Sequence, residues 1–175
     1  YETGQPTHCY DDSKINGKLV LRELEINHKF HTLLDKKINL TDKNSVFSIN
    51  DEVVNLAGVV GGKSTACNPE TKTVLVECAF FKPEAIIGKS IKYDIHSEAS
   101  HKFERFVDPH LSELALRRFI SIVLDHAKIT QLKVAKFNSL KPKKKRIIFD
   151  ASAINSILGT NYDEKFLKSI LNDLY

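Results

Sequence analysis

The 175-residue sequence predicts an α+β fold: a sheet-rich body with two main helices, followed by the truncated start of a small α/β domain. Three observations carry this. Between residues 18 and 81 apolar residues alternate or form short runs cut by turn residues, the pattern of strands. Two later segments repeat their apolar residues at helical spacing behind a proline. A basic run, KPKKKR from Lys141 to Arg146, then separates a shorter stretch with periodic segments of its own. The expected division is a domain over 1–140, a linker over 141–146, and the beginning of another domain over 147–175.

In chain order, KLVLREL (18–24) and HTLLD (31–35) read as strands; Asp35-Lys36-Lys37 turns, and INL, VFSIN, VVNLAGVV and TVLVECAFF continue the series. Pro83 stands at a first helical position in PEAIIGKSIKYDI, and Asp108-Pro109 supplies cap and first turn for PHLSELALRRFISIVLDHAK. Leu111, Ala115, Phe119, Ile122 and Val123 fall on one face of that second helix. After the basic run, RIIFD predicts a strand, ASAINSILG a short helix stopped by Gly159, and NYDEKFLKSILNDLY a helix.

Composition limits function. At 42% hydrophobic the chain can bury one good core, and no apolar run approaches the about 18 residues of a membrane helix, so a soluble segment is expected; a cytoplasmic setting and a monomeric isolated segment are expected as well. Cys9, Cys67 and Cys78 show no C-x-x-C spacing and lie among apolar neighbours, as reduced, packed thiols do. The chain starts at Tyr1 and contains no Met, which points to an excised piece of a longer protein. Residues 1–140 hold 19 Lys+Arg against 18 Asp+Glu, whereas 141–175 hold 7 against 4. The excess sits in Lys143, Lys144, Lys145 and Arg146, which either form a solvated linker or touch nucleic-acid phosphates; no aromatic residue is interleaved among them.

Several chemistries are excluded. GGKST (61–65) ends like a phosphate-binding loop, but the opening glycine of that motif would fall on Ala57, and Asn68-Pro69 follows where a helix is needed. No H-E-x-x-H exists and His96 and His101 are five apart, so no metal site is expected. No G-x-S-x-G marks a serine hydrolase. Three features remain. GQPTHCYDD holds His8 just after a proline; TVLVECAFF carries Glu77 in a nearly apolar run; HSEASHKFERFVDP, read as a loop, gathers titratable groups among small residues. Taken singly each has a plain structural alternative: a core histidine, a solvent-facing strand carboxylate, and surface ion pairs among Glu98, Lys102, Glu104 and Arg105.

Together, GQPTHCYD, LAGVVGG, VLVECAFFKPEAI and HSEASHKFERFVDP resemble, in order and separation, the central region of the bacterial phenylalanine-tRNA ligase β subunit, whose pattern is GxPLHAFD, LAGVMGG, LESAFFxPxxI and RTEASxRFERGVDP. The resemblance covers nearly the whole chain and implies an editing domain that hydrolyses tyrosine wrongly attached to phenylalanine tRNA. The parent enzyme of two α and two β chains joins phenylalanine to tRNA with ATP and Mg²⁺; the resemblance places that chemistry in the α subunit, with no cofactor held in this segment. It further implies that His8 orients water or the tRNA end, that Glu77 reads the tyrosine hydroxyl, and that Gly61 lines the pocket. Gly58, Gly61 and Gly62 together are expected to leave room for an aromatic ring and its hydroxyl against the backbone. Ser97 and Ala99 match the family's Thr and Ala, with Ser replacing Thr, and the resemblance implies a catalytic role for Ser97 and a substrate-binding one for Ala99. Cys9-Tyr10 replace Ala-Phe and Phe106 replaces a glycine, which read as packing changes outside the pocket. The competing expectation is a scaffold or tRNA-binding module that kept the fold and lost editing.

Overall fold

The computed structural model describes residues 2–41, 43–137 and 148–173. The chain divides into two compact units, Tyr1–Lys136 and Phe137–Tyr175. It is a mixed α+β protein. In the first unit β1 (His8–Asp11) pairs antiparallel with β8 (Val74–Glu77). A four-stranded antiparallel sheet has the order β2-β5-β6-β7, from Leu19–Glu23, Ser45–Ile49, Glu52–Leu56 and Val60–Gly61. β3 (His28–His31) and β4 (Lys37–Leu40) form a hairpin.

The strands follow the alternation in the sequence, with two departures. The segment read as a strand over 31–35 ends at His31 with Thr32 in an isolated bridge to Gly62; the chain then turns, Thr32 N–H and Lys36 C=O joining at 2.9 Å and Asp35 taking a left-handed φ of 56°. Leu33 and Leu34 are thus an exposed hairpin tip. The long run VVNLAGVV is two strands, because Gly58 at φ 71° reverses the chain between β6 and β7. A Cβ at Gly58 would lie 2.7 Å from Ile86 Cδ1, so both backbone angle and core packing call for glycine.

Helices α1 (Pro83–Ile86) and α2 (Lys89–Tyr93) replace the single helix expected over 83–95, since Gly88 at φ 79° breaks it. The segment read as a loop over 96–109 contains α3 (Glu98–Phe103), with Ser97 at its N-cap. The long helix α4 spans Leu111–His126 and Asp108 Oδ1 accepts from the His110 N–H at 2.8 Å, so the acidic start lies in the turn before the helix. Of its expected core face only Ala115 is fully buried and Ile122 is exposed. Leu56, Val59, Phe81, Ile86, Ile95 and Phe103 anchor the main core, which joins β6 and the β6–β7 turn to α1 and α3. Tyr10, Ile49 and Val54 form a second cluster beneath β1.

Phe106, which replaces the family's glycine, keeps a glycine-like φ of 74°. That conformation costs a residue with a side chain about 1–2 kcal/mol, and its ring meets Phe80 edge-on at 5.8 Å.

In the second unit α5 (Ala151–Leu158) is capped by Asp150, whose Oδ1 accepts from the Ser152 N–H at 2.9 Å, and ends at Gly159 with φ 67°. Asn155 ties the following loop down by donating to Tyr162 C=O at 2.8 Å, and α6 covers Glu164–Asp173. Both helices stand where the periodicity placed them. The RIIFD strand does not form over its described part, Ile148–Asp150, because Asp150 is used as a cap.

Candidate functional site

The β1–β8 ribbon builds the site. In its register His8 lies directly opposite Glu77, and opposite residues of an antiparallel pair project on the same face. Period two puts Tyr10 on that face as well. Asn55 arrives from β6, where it pairs with Gly61 of β7. Two strand pairings thereby gather the positions, 8, 10 and 77 on β1–β8 and 55 and 61 on β6–β7.

The side chains are tied together. Tyr10 is fully buried and its hydroxyl donates to Glu77 Oε2 at 2.6 Å, the short distance of a charge-assisted bond. Asn55 Nδ2 donates to the Tyr10 hydroxyl at 2.7 Å and approaches Glu77 Oε2 at 3.5 Å. Glu77 is half-buried, and its other oxygen, Oε1, makes no hydrogen bond to a described residue and is not among the buried atoms left unsatisfied. It is therefore not sealed from solvent. The His8 ring stands edge-on to Tyr10, centroids 4.4 Å apart.

Gly61 gives the imidazole its seat. A Cβ there would fall 2.2 Å from His8 Cε1 and 2.9 Å from Leu33 Cδ1, so the ring lies against bare backbone. Gly62 belongs to the sheet: its N–H donates to Val54 C=O at 2.8 Å, and a Cβ would collide with that carbonyl and with Phe30. Gly58, as above, is shaped by Ile86 and Phe81. Of the three glycines, Gly61 is the one at His8.

Burial sets the protonation states. It pushes the Glu77 carboxyl up to about 7, while the Tyr10 hydrogen bond pulls the other way. Burial, reinforced by the Glu77 charge, holds the Tyr10 hydroxyl far above its ordinary value, so it remains a donor. Burial also lowers His8, which is a neutral imidazole at neutral pH. The cluster thus offers one carboxylate acceptor with an open oxygen beside a neutral imidazole able to hold a hydroxyl or water.

Ser97 stands apart. Its hydroxyl donates to Val59 C=O at 2.6 Å and accepts from the Ser100 N–H at 3.0 Å, capping α3 and fastening it to the β6–β7 turn. It has no hydrogen bond to His8, Gly61 or Glu77 among the described residues. Ala99, on the same short helix, packs against the main core. Ser97→Ala is expected to cost about 1–2 kcal/mol of stability through the lost cap and the stranded Val59 carbonyl, with Ser97→Thr close to wild type. Urea unfolding checks this, and an unchanged midpoint in the alanine variant would refute the fastening role.

Lys143, Lys144, Lys145 and Arg146 lie outside the described residues. A cleft of about 330 Å³ lined by His28, Phe30, His31, Val53, Lys63 and Ser64 includes none of His8, Gly61, Glu77 and Ser97. Lys63, the lysine of GGKST, is occupied by Asp35 Oδ1 at 2.7 Å. Among the described residues no group of three or more His, Cys, Asp or Glu is placed to hold a metal, and no helix is long and apolar enough to cross a membrane.

Tyr10 and Asn55 escaped the sequence reading, and Tyr10, taken there as a packing change outside the pocket, has its hydroxyl on Glu77. Period two from His8 flags Tyr10, and an Asn inside the apolar VVNLAG run flags Asn55.

The structure is an α+β body in which the half-buried Glu77 carboxylate lies opposite His8 on the β1–β8 strand pair. A family model described as the B3/4 domain matches residues 1–128, and the chain belongs to that family. Curated relatives agree with the resemblance in the motifs. The phenylalanine–tRNA ligase beta subunit of Photorhabdus laumondii is 38% identical over 71% of this chain and 16% of its own length. Those of Francisella tularensis and Shewanella oneidensis are each 32% identical over 99% of this chain and 22% of theirs. The chain spans about a fifth of the length of the curated relatives it matches.

Proposed function

We propose that this chain is the editing domain of a phenylalanine–tRNA ligase beta subunit and hydrolyses the ester of tyrosine wrongly attached to phenylalanine tRNA. The observation that carries the reading is Glu77, a half-buried carboxylate with one oxygen open, directly opposite His8. A pocket selecting phenylalanine rejects tyrosine by only about a hundredfold, since an added hydroxyl costs little in an apolar site. A second site built on an acceptor works in the opposite sense: tyrosine satisfies the carboxylate, whereas phenylalanine strands it at roughly 1–3 kcal/mol.

In this scheme Glu77 Oε1 accepts from the tyrosine hydroxyl. His8, neutral and seated on Gly61, holds the water that attacks the ester carbonyl carbon; the bond from that carbon to the ribose oxygen breaks, and a proton passes from the water to the ribose oxygen. Ser97 acts through α3, by fixing the β7 turn from which Gly61 follows. The acceptor end of the tRNA and the synthetase α subunit are the partners, cytoplasm the setting, and ATP and Mg²⁺ are assigned to synthesis elsewhere in the parent enzyme.

One observation favours a second reading, a scaffold or tRNA-binding module without editing: Tyr10 already occupies Glu77 Oε2. Deacylation of Tyr-tRNA separates the two. Hydrolysis by the intact ligase that falls to background in His8→Ala supports editing; equal rates would leave the scaffold.

The chain by itself is expected to bind tRNA weakly, because residues 1–140 carry a net charge of only +1 and phosphate neutralisation supplies most nonspecific affinity. Its salt dependence should be shallow and owed to Lys143–Arg146, by titration of labelled tRNA at two ionic strengths. Tight binding that survives removal of 141–175 would contradict this.

A further inference from the structure

We infer that Tyr10 is a specificity-positioning residue: its hydroxyl, held by Asn55, fixes Glu77 through Oε2 so that Oε1 is presented as the one acceptor for a ligand hydroxyl. The inference rests on the editing reading and adds a residue to it. Three features support it. The bond from Tyr10 to Oε2 is 2.6 Å and joins residues 67 apart in sequence, so it is set by the β1–β8 register rather than by local chain geometry. Asn55 Nδ2 donates to the same hydroxyl at 2.7 Å, which fills an acceptor position on the phenol and directs its proton to the carboxylate. Tyr10 is 0% exposed and packs with Ile49 and Val54, so the phenol cannot swing toward a ligand.

A carboxylate on a flexible side chain in a half-open site would otherwise exchange its two oxygens and its rotamers. Fixing one oxygen lowers the ordering cost that a ligand hydroxyl must meet. The titratable groups around Glu77 are His8 and Tyr10 from β1 and the adjacent Cys78 thiol; burial and the Tyr10 hydrogen bond act on the carboxyl in opposite directions.

The test is Tyr10→Phe in the intact ligase, with kcat/KM for deacylation of Tyr-tRNA and Phe-tRNA measured between pH 5.5 and about 8.5. Loss of one hydrogen bond to a charged group corresponds to a selectivity drop of about tenfold at neutral pH. The pH midpoint of selectivity should also move upward, because the hydrogen bond that favours the ionised carboxylate is gone. Equal slowing of both substrates with an unmoved midpoint would show that Tyr10 serves the core alone and would overturn the inference. A rise in tyrosine selectivity would overturn it too, by showing that the phenol competes with the ligand. Thermal melting establishes that the variant folds; if it does not, Asn55→Ala loosens the same clamp and should lower selectivity in the same direction, and its failure to do so refutes the role. Should His8→Ala deacylate Tyr-tRNA as fast as wild type, the editing reading itself falls; should Glu77→Ala lose selectivity while Tyr10→Phe keeps it, only this inference falls.

Discussion

Replacing Glu77 by Gln is expected to remove a pH-dependent loss of stability of about 3 kcal/mol between pH 4.5 and 7. The carboxyl ionises near 4.5 in the unfolded chain and at about 7 in the fold, because burial disfavours its charged form. The folded state therefore holds the proton more tightly. Below 4.5 both states are protonated and the group adds no penalty; between 4.5 and 7 the unfolded chain ionises while the folded carboxyl keeps its proton, so stability falls until the folded group ionises at about 7 and the loss is complete. Glutamine keeps the shape and an acceptor for the Tyr10 hydroxyl but has nothing to ionise. Other titrating groups, including His8 with its lowered value, are common to both proteins and cancel in the difference. Urea unfolding of both at pH 5 and pH 8 gives the result: the advantage of the glutamine variant over wild type should grow with pH. A constant difference would mean that Glu77 ionises in the fold as it does in water.

The second large effect falls on Gly61. Alanine there brings a methyl group to 2.2 Å from His8 Cε1, with Leu33 closing the other side and Tyr10 behind the ring. The imidazole has to leave its seat. Overpacking of this kind costs roughly 1–3 kcal/mol, and deacylation should fall as far as it does in His8→Ala. Because one residue acts through the other, the double variant should be no slower than either single one. Gly61→Trp should abolish deacylation for the same reason before any ligand is excluded. Additive losses would show that glycine makes room for something other than His8. The sequence reading gave this glycine to a pocket for a ligand ring; in the fold the His8 imidazole lies against it.

The fold was legible wherever a periodic segment was long enough to carry its signal. The strand at 19–23 and the helices α4, α5 and α6 lie within the segments that periodicity marked, and the strands at 45–49 and 52–56 each begin one residue before theirs. Short elements were not. α3 has six residues, fewer than two turns, and only Ser97 followed by Glu98 hinted at a capped start. Leu33 and Leu34 looked like strand because they are apolar, yet they form a hairpin tip where turn geometry at Asp35 decides. Glu77 and His8 were visible through unusual settings, a carboxylate in an apolar run and a histidine after a proline. Their alignment was not, since it depends on the register of two strands far apart in the chain. The same register hides the Tyr10–Glu77 bond. Ser97 was named for chemistry by resemblance, while its hydrogen bonds give it a cap and a tie to Val59.

The central claim is that Glu77 distinguishes esterified tyrosine from esterified phenylalanine. Deacylation of Tyr-tRNA and Phe-tRNA by wild type and Glu77→Ala, side by side in the intact ligase at pH 8, tests it most directly. A hydrogen bond to a charged acceptor is worth roughly 1.5–3 kcal/mol, so the preference for tyrosine should shrink by about ten- to a hundredfold in the alanine variant. A preference equal to that of wild type would mean that another group reads the hydroxyl and that the Tyr10–Glu77–Asn55 cluster serves the fold alone.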